Sequence, residues 1–253
     1  MKHILSNITL SGGKFPIIGW VNPSSYPYET SKEDRNIPVP YEVLKERYSE
    51  YKHAGFNMVF CMRDPISSND EVVKNILKVC DELDLGCLLI DGESYARAVS
   101  EERLAYIKDY AEGYKSFKGL MIFDEPTAVH FQTIGDNFDK FIKIFPDKLF
   151  YVNMLPNYAT DEQLGTANFD EYVDRFVAET KVNFLTYDHY PFIHFSYGIV
   201  NNNKYFTNLS AVSEKARKEN LPFMVFIQTT AFVKNAHIPN REEIMWQVNT
   251  AMS

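Results

Sequence analysis

The sequence has little cysteine, and its cysteines lack the spacing of a metal site. Its 253 residues include three of them, Cys61, Cys80 and Cys87, an odd number that lies in apolar surroundings. Buried free cysteines of this kind behave as small hydrophobic residues. We therefore expect reduced core thiols, with no disulfide framework and no bound metal.

Long apolar runs are also missing. No segment approaches the roughly 20 apolar residues that a membrane span requires. The opening stretch MKHILSNITLSGG offers only Ile4 and Leu5 as an apolar run, which is far short of a secretory signal. We expect a cytoplasmic protein without a membrane partner; removal of a signal from a longer precursor is the alternative.

Basic runs and phosphate-binding glycine loops are absent as well. Acidic residues outnumber basic ones by 34 to 26, for a net charge of −8, which disfavours nucleic acid as a partner. No Gly-x-Gly-x-x-Gly follows the first apolar run, so the sequence predicts no dinucleotide and no other cofactor. Neutral or cationic ligands suit this charge better.

The sequence does contain a repeating alternation of apolar runs and amphipathic segments. Seven runs without helical period predict buried strands, at 15–21, 56–62, 87–90, 117–126, 149–154, 183–187 and 222–227. Segments with helical spacing predict helices between and after them, at 41–54, 69–85, 100–115, 131–145, within 161–180, at 205–219 and at 239–251. The alternation predicts an α/β fold with a parallel sheet.

The repeat length favours one architecture of this class. The units recur about every 30 to 35 residues, as expected for a (β/α)₈ TIM-type barrel rather than a doubly wound sheet. We expect residues 1–253 to form a single barrel domain that lacks its eighth unit and is incomplete at the C-terminus. Seven strands would leave an apolar seam flanked by 15–21 and 222–227, which predicts poor stability or self-association through that seam.

The stretch FKGLMIFDEP, residues 117–126, is the strongest pointer to chemistry. An apolar strand ends there in Asp124 and Glu125, and Pro126 cannot continue the ladder. The carboxyl ends of barrel strands carry the catalytic groups, and burial at such a position raises the pKa of a carboxylic acid. The alternative is structural, with Asp124 capping the next helix and Glu125 solvated in a loop.

Other predicted strand ends are polar too. Together with the acidic pair, they supply a ring of candidate substrate-binding groups at Asn22, Asp91, Glu93, Asn153, Asp188, His189, Tyr190 and Gln228, with Trp20, Tyr158 and Tyr187 among them. Carboxylates and amides bind sugar hydroxyls, and aromatic rings pack on sugar faces. This mixture of side chains predicts a carbohydrate ligand, although the aromatic residues could equally cover the mouth of the barrel.

Here the chain resembles the retaining glycoside hydrolases that have (β/α)₈ barrels. In that clan an Asn-Glu-Pro type motif closes strand four, and FDEP at 123–126 is similar to it with Asp in place of Asn. His189 and Tyr190 in YDHYPF resemble a pair often found after strand six. The segment from 221 onward is similar to β-galactosidase-type barrels. The resemblance implies that Glu125 is the catalytic proton donor.

One residue departs from this pattern. The clan places a nucleophilic Glu at the end of strand seven, where this chain has Gln228, which cannot attack an anomeric carbon. Asp188 is the first candidate for the second carboxylate and Glu93 another, which would place Asp188 in the same pocket as Glu125. Inversion by water and binding without cleavage are the remaining interpretations.

Structural roles compete with several of these assignments. His189 is more often a hydrogen-bonded structural group than a base, and Asp188 could orient it or cap a loop. Asp91 and Glu93 bind hydroxyls or hold loop backbone, with no preference between the two. For the whole chain, the alternatives to a glycosidase are a non-catalytic glycan-binding barrel or truncated inactive paralogue, and a barrel enzyme for a non-sugar substrate.

Overall fold

The computed structural model describes residues 15–28, 37–195, 198–201, 204–231 and 237–253. Residues 1–14, on which the argument about a signal segment rests, lie outside the described residues, as does 29–36 of the first predicted loop. The chain divides into two compact units. Unit 1 comprises Met1–Phe123 and Asp136–Tyr151, and unit 2 comprises Asp124–Gly135 and Val152–Ser253. That the whole chain is a single barrel domain stays a prediction.

The described residues contain nine strands and eight α-helices, in an order that alternates along most of the chain. They are β1 (Ile18–Gly19), α1 (Tyr41–His53), β2 (Met58–Phe60), α2 (Asp70–Glu82), β3 (Gly86–Ile90), α3 (Glu101–Ala111), β4 (Phe117–Asp124), α4 (Phe131–Ile144), β5 (Leu149–Asn153), α5 (Asp161–Leu164), α6 (Phe169–Thr180), β6 (Leu185–Tyr187), β7 (Phe192–Phe195), β8 (Gly198–Asn201), α7 (Tyr205–Glu219), β9 (Phe223–Val225) and α8 (Arg241–Met252). A 3₁₀ turn, Ala128–His130, precedes α4.

Each predicted strand and helix segment overlaps an element of the predicted type. The segment 161–180 contains two helices, because Gly165 adopts a left-handed conformation (φ 70°) that ends α5, and the Asn168 side chain caps α6. The antiparallel hairpin of β7 and β8 was not predicted. Its first strand, FIHF, follows Pro191 and is too short to give a periodic signal.

Unit 1 is built on a sheet with the order β1-β2-β3-β4-β5. The β1–β2, β2–β3 and β3–β4 pairs are parallel, and the residues of β2 and β3 are buried. Gly119 allows β4 and β5 to approach closely. Its φ of 149° is unfavourable for any other residue, and a Cβ there would lie 2.1 Å from the Leu149 carbonyl oxygen.

Helix α2 illustrates how the sequence buries one face on this sheet. Asn69 begins it by accepting a hydrogen bond from the Val72 N–H. Its inward residues are then almost completely buried, at Val72, Val73, Ile76, Leu77, Val79 and Cys80. The three cysteines are all free and buried, as the composition predicts.

Unit 2 has a smaller parallel pair, β6–β9, with Leu185 opposite Phe223. An isolated parallel bridge joins Met154 to Tyr187 and aligns the chain after β5 with β6. An aromatic cluster forms the core, in which the Phe131 ring lies 5.1 Å from Tyr172 and 5.3 Å from Phe176. The Met154–Tyr187 bridge places the end of β5 beside the end of β6.

The fold is therefore α/β with a parallel sheet, as predicted, while the eight-unit barrel is not confirmed. Seven strand–helix units are present in the part of the chain that the structure describes. Self-association through a barrel seam stays a prediction. None of the described helices is both long enough and apolar enough to cross a bilayer.

Candidate active site

The acidic pair at the end of β4 lies in a backbone turn that sets the direction of Glu125. Glu125 has a left-handed conformation with φ 51°, which costs a residue with a side chain about 1 kcal/mol. Its N–H donates to the Asn153 carbonyl oxygen over 2.9 Å. The Tyr172 hydroxyl donates to the Pro126 carbonyl oxygen over 2.8 Å, so α6 fixes the far side of the turn. The backbone is unusual at the residue that the sequence assigns to catalysis.

The Asn153 side chain, at the end of β5, links two carboxylates. Its Nδ2 donates to Asp188 Oδ1 over 2.8 Å and to Asp124 Oδ1 over 3.1 Å. The Thr186 hydroxyl donates to Asn153 Oδ1 over 3.4 Å, which fixes the amide orientation. Both hydrogens of the Asn153 amide are thus bonded to carboxylates. Asn153 therefore holds in place two of the three carboxyl groups of the acidic cluster, which consists of Asp124, Glu125 and Asp188.

The structure brings Asp188 and Glu125 into direct contact. The two carboxyl groups lie within hydrogen-bonding reach of each other, and the Tyr190 hydroxyl is hydrogen-bonded to Asp188. Asp188 is buried, whereas Glu125 is exposed at the surface. A hydrogen bond between two carboxyl groups requires that one of them is protonated, so an accessible acid and a buried acid share one proton.

Burial and mutual repulsion raise the pKa values of all three acids. The pKa of Glu125 is raised to about 7, first because protein atoms packed against its carboxyl remove part of its water although the residue as a whole is exposed, and then by the negative charges of Asp188 and Asp124. Burial, together with Asp188, raises the pKa of Asp124 to about 6, against the effect of the Asn153 bond. The pKa of Asp188 is raised by burial, and the bonds from Asn153 and Tyr190 oppose the rise. Near neutral pH, Glu125 is the group that holds a transferable proton.

Two of the structural alternatives, a helix cap at Asp124 and an orienting role of Asp188 towards His189, are not what the contacts show. The 3₁₀ turn after β4 begins at Thr127 as its N-cap, so Asp124 is not a helix cap. His189 Nδ1 contacts Asn208 Oδ1 over 2.9 Å, so Asn208 rather than Asp188 orients the ring. The His189 side chain is fully buried against the Tyr158 and Tyr205 rings. Burial lowers the pKa of His189, which is consistent with a neutral structural imidazole.

Gln228 is also buried, and its amide is used within unit 2. Its Oε1 accepts from the Phe192 N–H over 3.0 Å, and its Nε2 donates to the Phe192 and Thr230 carbonyl oxygens. The Gln247 Oε1 accepts from the Gln228 N–H over 2.8 Å, and the Gln247 Nε2 donates to the Gln228 carbonyl oxygen over 3.0 Å. These contacts fix the start of the hairpin, so a direct role for Gln228 in substrate binding stays a prediction.

Four predicted substrate-binding residues lie in unit 1, where the structure places two of them in internal networks. Asn22 Nδ2 donates to Asp64 Oδ2 over 2.8 Å, and its Oδ1 accepts from the Arg63 N–H. Asp91 is buried; it accepts from Arg103 Nε and Nη2 and from the Ser94 N–H. Asp91 thus holds loop backbone, which was one of its two predicted roles.

The other two keep more accessible surfaces. Glu93 is exposed and forms a 3.1 Å ion pair with Arg103. The half-buried Trp20 ring packs edge-on against Phe60, with 5.1 Å between ring centroids. Sugar binding by these residues stays a prediction.

The sequence analysis did not identify the residues that support the acidic cluster. Tyr172 lies in the segment 161–180, which was predicted only to contain a helix, and Thr186 and Asn208 were not singled out. A hydroxyl on an otherwise apolar helix face was the available signal, because a buried Tyr hydroxyl requires a polar partner. Within the described residues, no group of three or more His, Cys, Asp or Glu side chains is placed to hold a metal ion.

Comparison with known proteins identifies the fold but no family. No family model matches the chain, and no curated protein matches it. Among solved structures, it is similar to a proposed alpha-L-fucosidase from Bacteroides thetaiotaomicron, with 10% identity, a TM-score of 0.64 and coverage of 94% of this chain and 81% of that one. A beta-glucuronidase from an uncultured Clostridium has 14% identity and a TM-score of 0.57.

The glucuronidase alignment covers 94% of this chain, and the chain spans 41% of the length of that enzyme. An HpcH/HpaI aldolase from Desulfitobacterium hafniense is also similar, with 12% identity, a TM-score of 0.51 and coverage of 96% of this chain and 85% of that one. At such identities the likeness shows the fold alone. The chain has an α/β fold with a parallel sheet, and its neighbours in this comparison, glycoside hydrolases and an aldolase, have folds of the TIM-barrel type.

Proposed function

We propose that this chain is a glycosidase in which Glu125 donates a proton to the glycosidic oxygen. The observation that carries the proposal is the contact between an exposed Glu125, with a pKa raised to about 7, and a buried Asp188 within hydrogen-bonding reach of it. Hydrolysis of a glycosidic bond near neutral pH requires a carboxylic acid that is still protonated at that pH. The glycosidase neighbours in the structural comparison agree with this assignment.

In the proposed reaction, the Glu125 proton moves to the leaving oxygen as the bond from that oxygen to the anomeric carbon breaks. Glu125 becomes a carboxylate, and water supplies the hydroxyl of the new sugar end and returns a proton. Asp124 uses Oδ1 for its bond to Asn153, and we assign its Oδ2 to a substrate hydroxyl. The partly exposed Tyr158 ring offers an apolar face beside the same acids.

Asp188 fits the role of a buried anion better than that of an attacking group. A Glu125 and an Asp188 within hydrogen-bonding reach of each other lie closer than the carboxyl groups of inverting enzymes, which are about 6.5 to 9.5 Å apart and hold a water between them. The burial of Asp188 and its bonds with Asn153, Tyr190 and Glu125 also oppose approach to an anomeric carbon. We therefore propose that Asp188 keeps the Glu125 proton in place until substrate arrives.

A glycan-binding protein without hydrolytic activity is the second candidate. It is favoured by one observation, namely that the strand-seven position of the expected nucleophile holds Gln228, whose amide is used internally. Under this alternative the same pocket would bind a sugar, and Glu125 would act as a hydrogen-bond donor. The two candidates differ in whether Glu125 moves a proton.

A panel of aryl glycosides tests the proposal, with wild type, Glu125→Gln and Glu214→Gln compared at pH 6. Glu214 is an exposed residue in the middle of α7 and serves as the matched control. We expect Glu125→Gln to lower kcat by about 10²–10⁴ on those substrates with poor leaving groups that wild type cleaves, and Glu214→Gln to match wild type. Binding of sugars by wild type without hydrolysis of any glycoside would instead support the second candidate.

A further inference from the structure

Asn153 is hydrogen-bonded to all three residues of the acidic cluster of unit 2, Asp124, Glu125 and Asp188. Its side-chain amide donates to Asp124 and to Asp188, and its backbone carbonyl accepts from the Glu125 N–H. Residues bound at both side chain and backbone are restricted in their motion. Asn153 therefore sets the separation of three carboxyl groups that would otherwise repel one another.

Tyr190 completes this arrangement from the other side of Asp188. Its hydroxyl donates to the Asp188 carboxylate, so Asp188 accepts from an amide and a phenol in addition to its contact with the Glu125 carboxyl. Hydrogen bonds to a charged acceptor favour the charged form. When two acids share one proton, stabilising one as the anion leaves the proton on the other.

We propose that Asn153 and Tyr190 are positioning residues that keep Asp188 as the anion and thereby leave the shared proton on Glu125. Neither residue has to touch substrate for this role. The proposal replaces the expected role of both as direct sugar ligands. It rests on the proposed function only for its consequence for catalysis, because the position of the proton is a property of the free protein.

The other titratable groups around the pair do not obscure the test. Asp124, Tyr158 and Tyr172 face Glu125 and Asp188 in addition to Tyr190. Burial raises the pKa values of the three tyrosines, so they stay neutral through the acidic and neutral range. Asp124 alone titrates in the same range, with a pKa raised to about 6, so its signal must be resolved from the pair.

The experiment is an NMR titration of carbon-13 labelled Asp and Glu carboxyl groups from pH 3 to 9. It compares wild type, Tyr190→Phe, Asn153→Ala and a control, Tyr158→Phe, which removes a hydroxyl beside the acids that is not bonded to Asp188. We expect Asp188 to ionise at lower pH than Glu125 in wild type. Loss of the Tyr190 hydroxyl should raise the Asp188 pKa by about one pH unit, and Asn153→Ala by at least as much. Tyr158→Phe should leave it unchanged.

Two results would overturn the inference. One is a wild type in which Glu125 ionises before Asp188, and the other is a Tyr190→Phe variant in which the order and the pKa values are unchanged. Asn153→Ala also removes a buried side chain at the end of β5, which could prevent folding. In that case Tyr190→Phe, which keeps the aromatic ring, provides the decisive comparison. Because the readout is chemical shift, a protein without glycosidase activity would refute the proposed function and still leave this inference testable.

Discussion

Replacing Asp124 by Asn should stabilise the folded protein at alkaline pH. The folded state raises the pKa of Asp124 from 3.8 to about 6, mainly through burial. A raised acid pKa means that ionisation costs more in the folded state than in the unfolded chain. Wild type therefore loses stability as pH rises from about 4 to about 7, and the loss is complete above that range. Asn keeps the Oδ1 that accepts from Asn153, and it carries no charge.

The difference between 3.8 and about 6 corresponds to roughly 3 kcal/mol at 1.36 kcal/mol per pH unit. Asp124 is partly exposed, so solvent screening reduces this figure, and we expect a gain of about 1–2 kcal/mol. Urea unfolding at pH 8 and pH 3.5 measures it. The gain should be present at pH 8 and absent at pH 3.5, while Glu214→Gln should change stability by less than about 0.5 kcal/mol at either pH.

The contrast between the two pH values makes this prediction specific. An Asn variant with equal gains at both would owe its stability to something other than the ionisation of Asp124. A variant less stable than wild type at pH 8 would show that the carboxylate makes favourable contacts that the burial argument misses. Either result would refute the account of the acidic cluster as a set of acids held against their tendency to ionise.

Three further changes test the structural roles assigned above. Gly119→Ala should destabilise unit 1 by more than about 3 kcal/mol, because its Cβ would lie 2.1 Å from the Leu149 carbonyl oxygen; thermal unfolding at the wild-type temperature would contradict that close approach. Asp91→Asn should cost about 2–3 kcal/mol in urea unfolding, since it leaves the largely buried Arg103 without its main partner, and an unchanged stability would argue against this pairing. Gln228→Ala should lower stability by about 2–4 kcal/mol because it removes the bonds that fix Phe192 and Thr230, whereas a stable variant with weakened sugar binding would restore the direct binding role.

The elements of the fold could be predicted from sequence because each carries a local signal. Helix α2 has a capping Asn69 and a continuous apolar face, and the structure confirms it over Asp70–Glu82; Gly86, the glycine after the predicted segment, is the first residue of β3. The β7–β8 hairpin has no such signal, since its strands are four residues each and their pairing depends on tertiary contacts such as that between Gln228 and Phe192. Short strands defined by their surroundings are beyond periodicity arguments.

The candidate site was predictable in its residues more than in their roles. The carboxyl ends of strands identify Glu125, Asp188 and Asn153 as neighbours, because parallel strands deliver their ends to one edge. Which of them contacts substrate depends on hydrogen bonds between residues far apart in sequence, and no spacing rule contains that information. The buried amide of Asn153 between two acids is an example, because its two donors could equally have served a sugar.

The most direct test of the central claim is the dependence of the rate on the leaving group in wild type and Glu125→Gln. The dinitrophenolate of a dinitrophenyl glycoside departs without protonation, whereas the leaving group of a methylumbelliferyl or alkyl glycoside requires a proton from an acid. If Glu125 is the proton donor, the variant should lose about 10²–10⁴ in kcat/KM on the poor leaving groups and far less on the dinitrophenyl substrate. An equal loss on every substrate would contradict the assignment of Glu125 as the acid, and full activity on the poor leaving groups would exclude it.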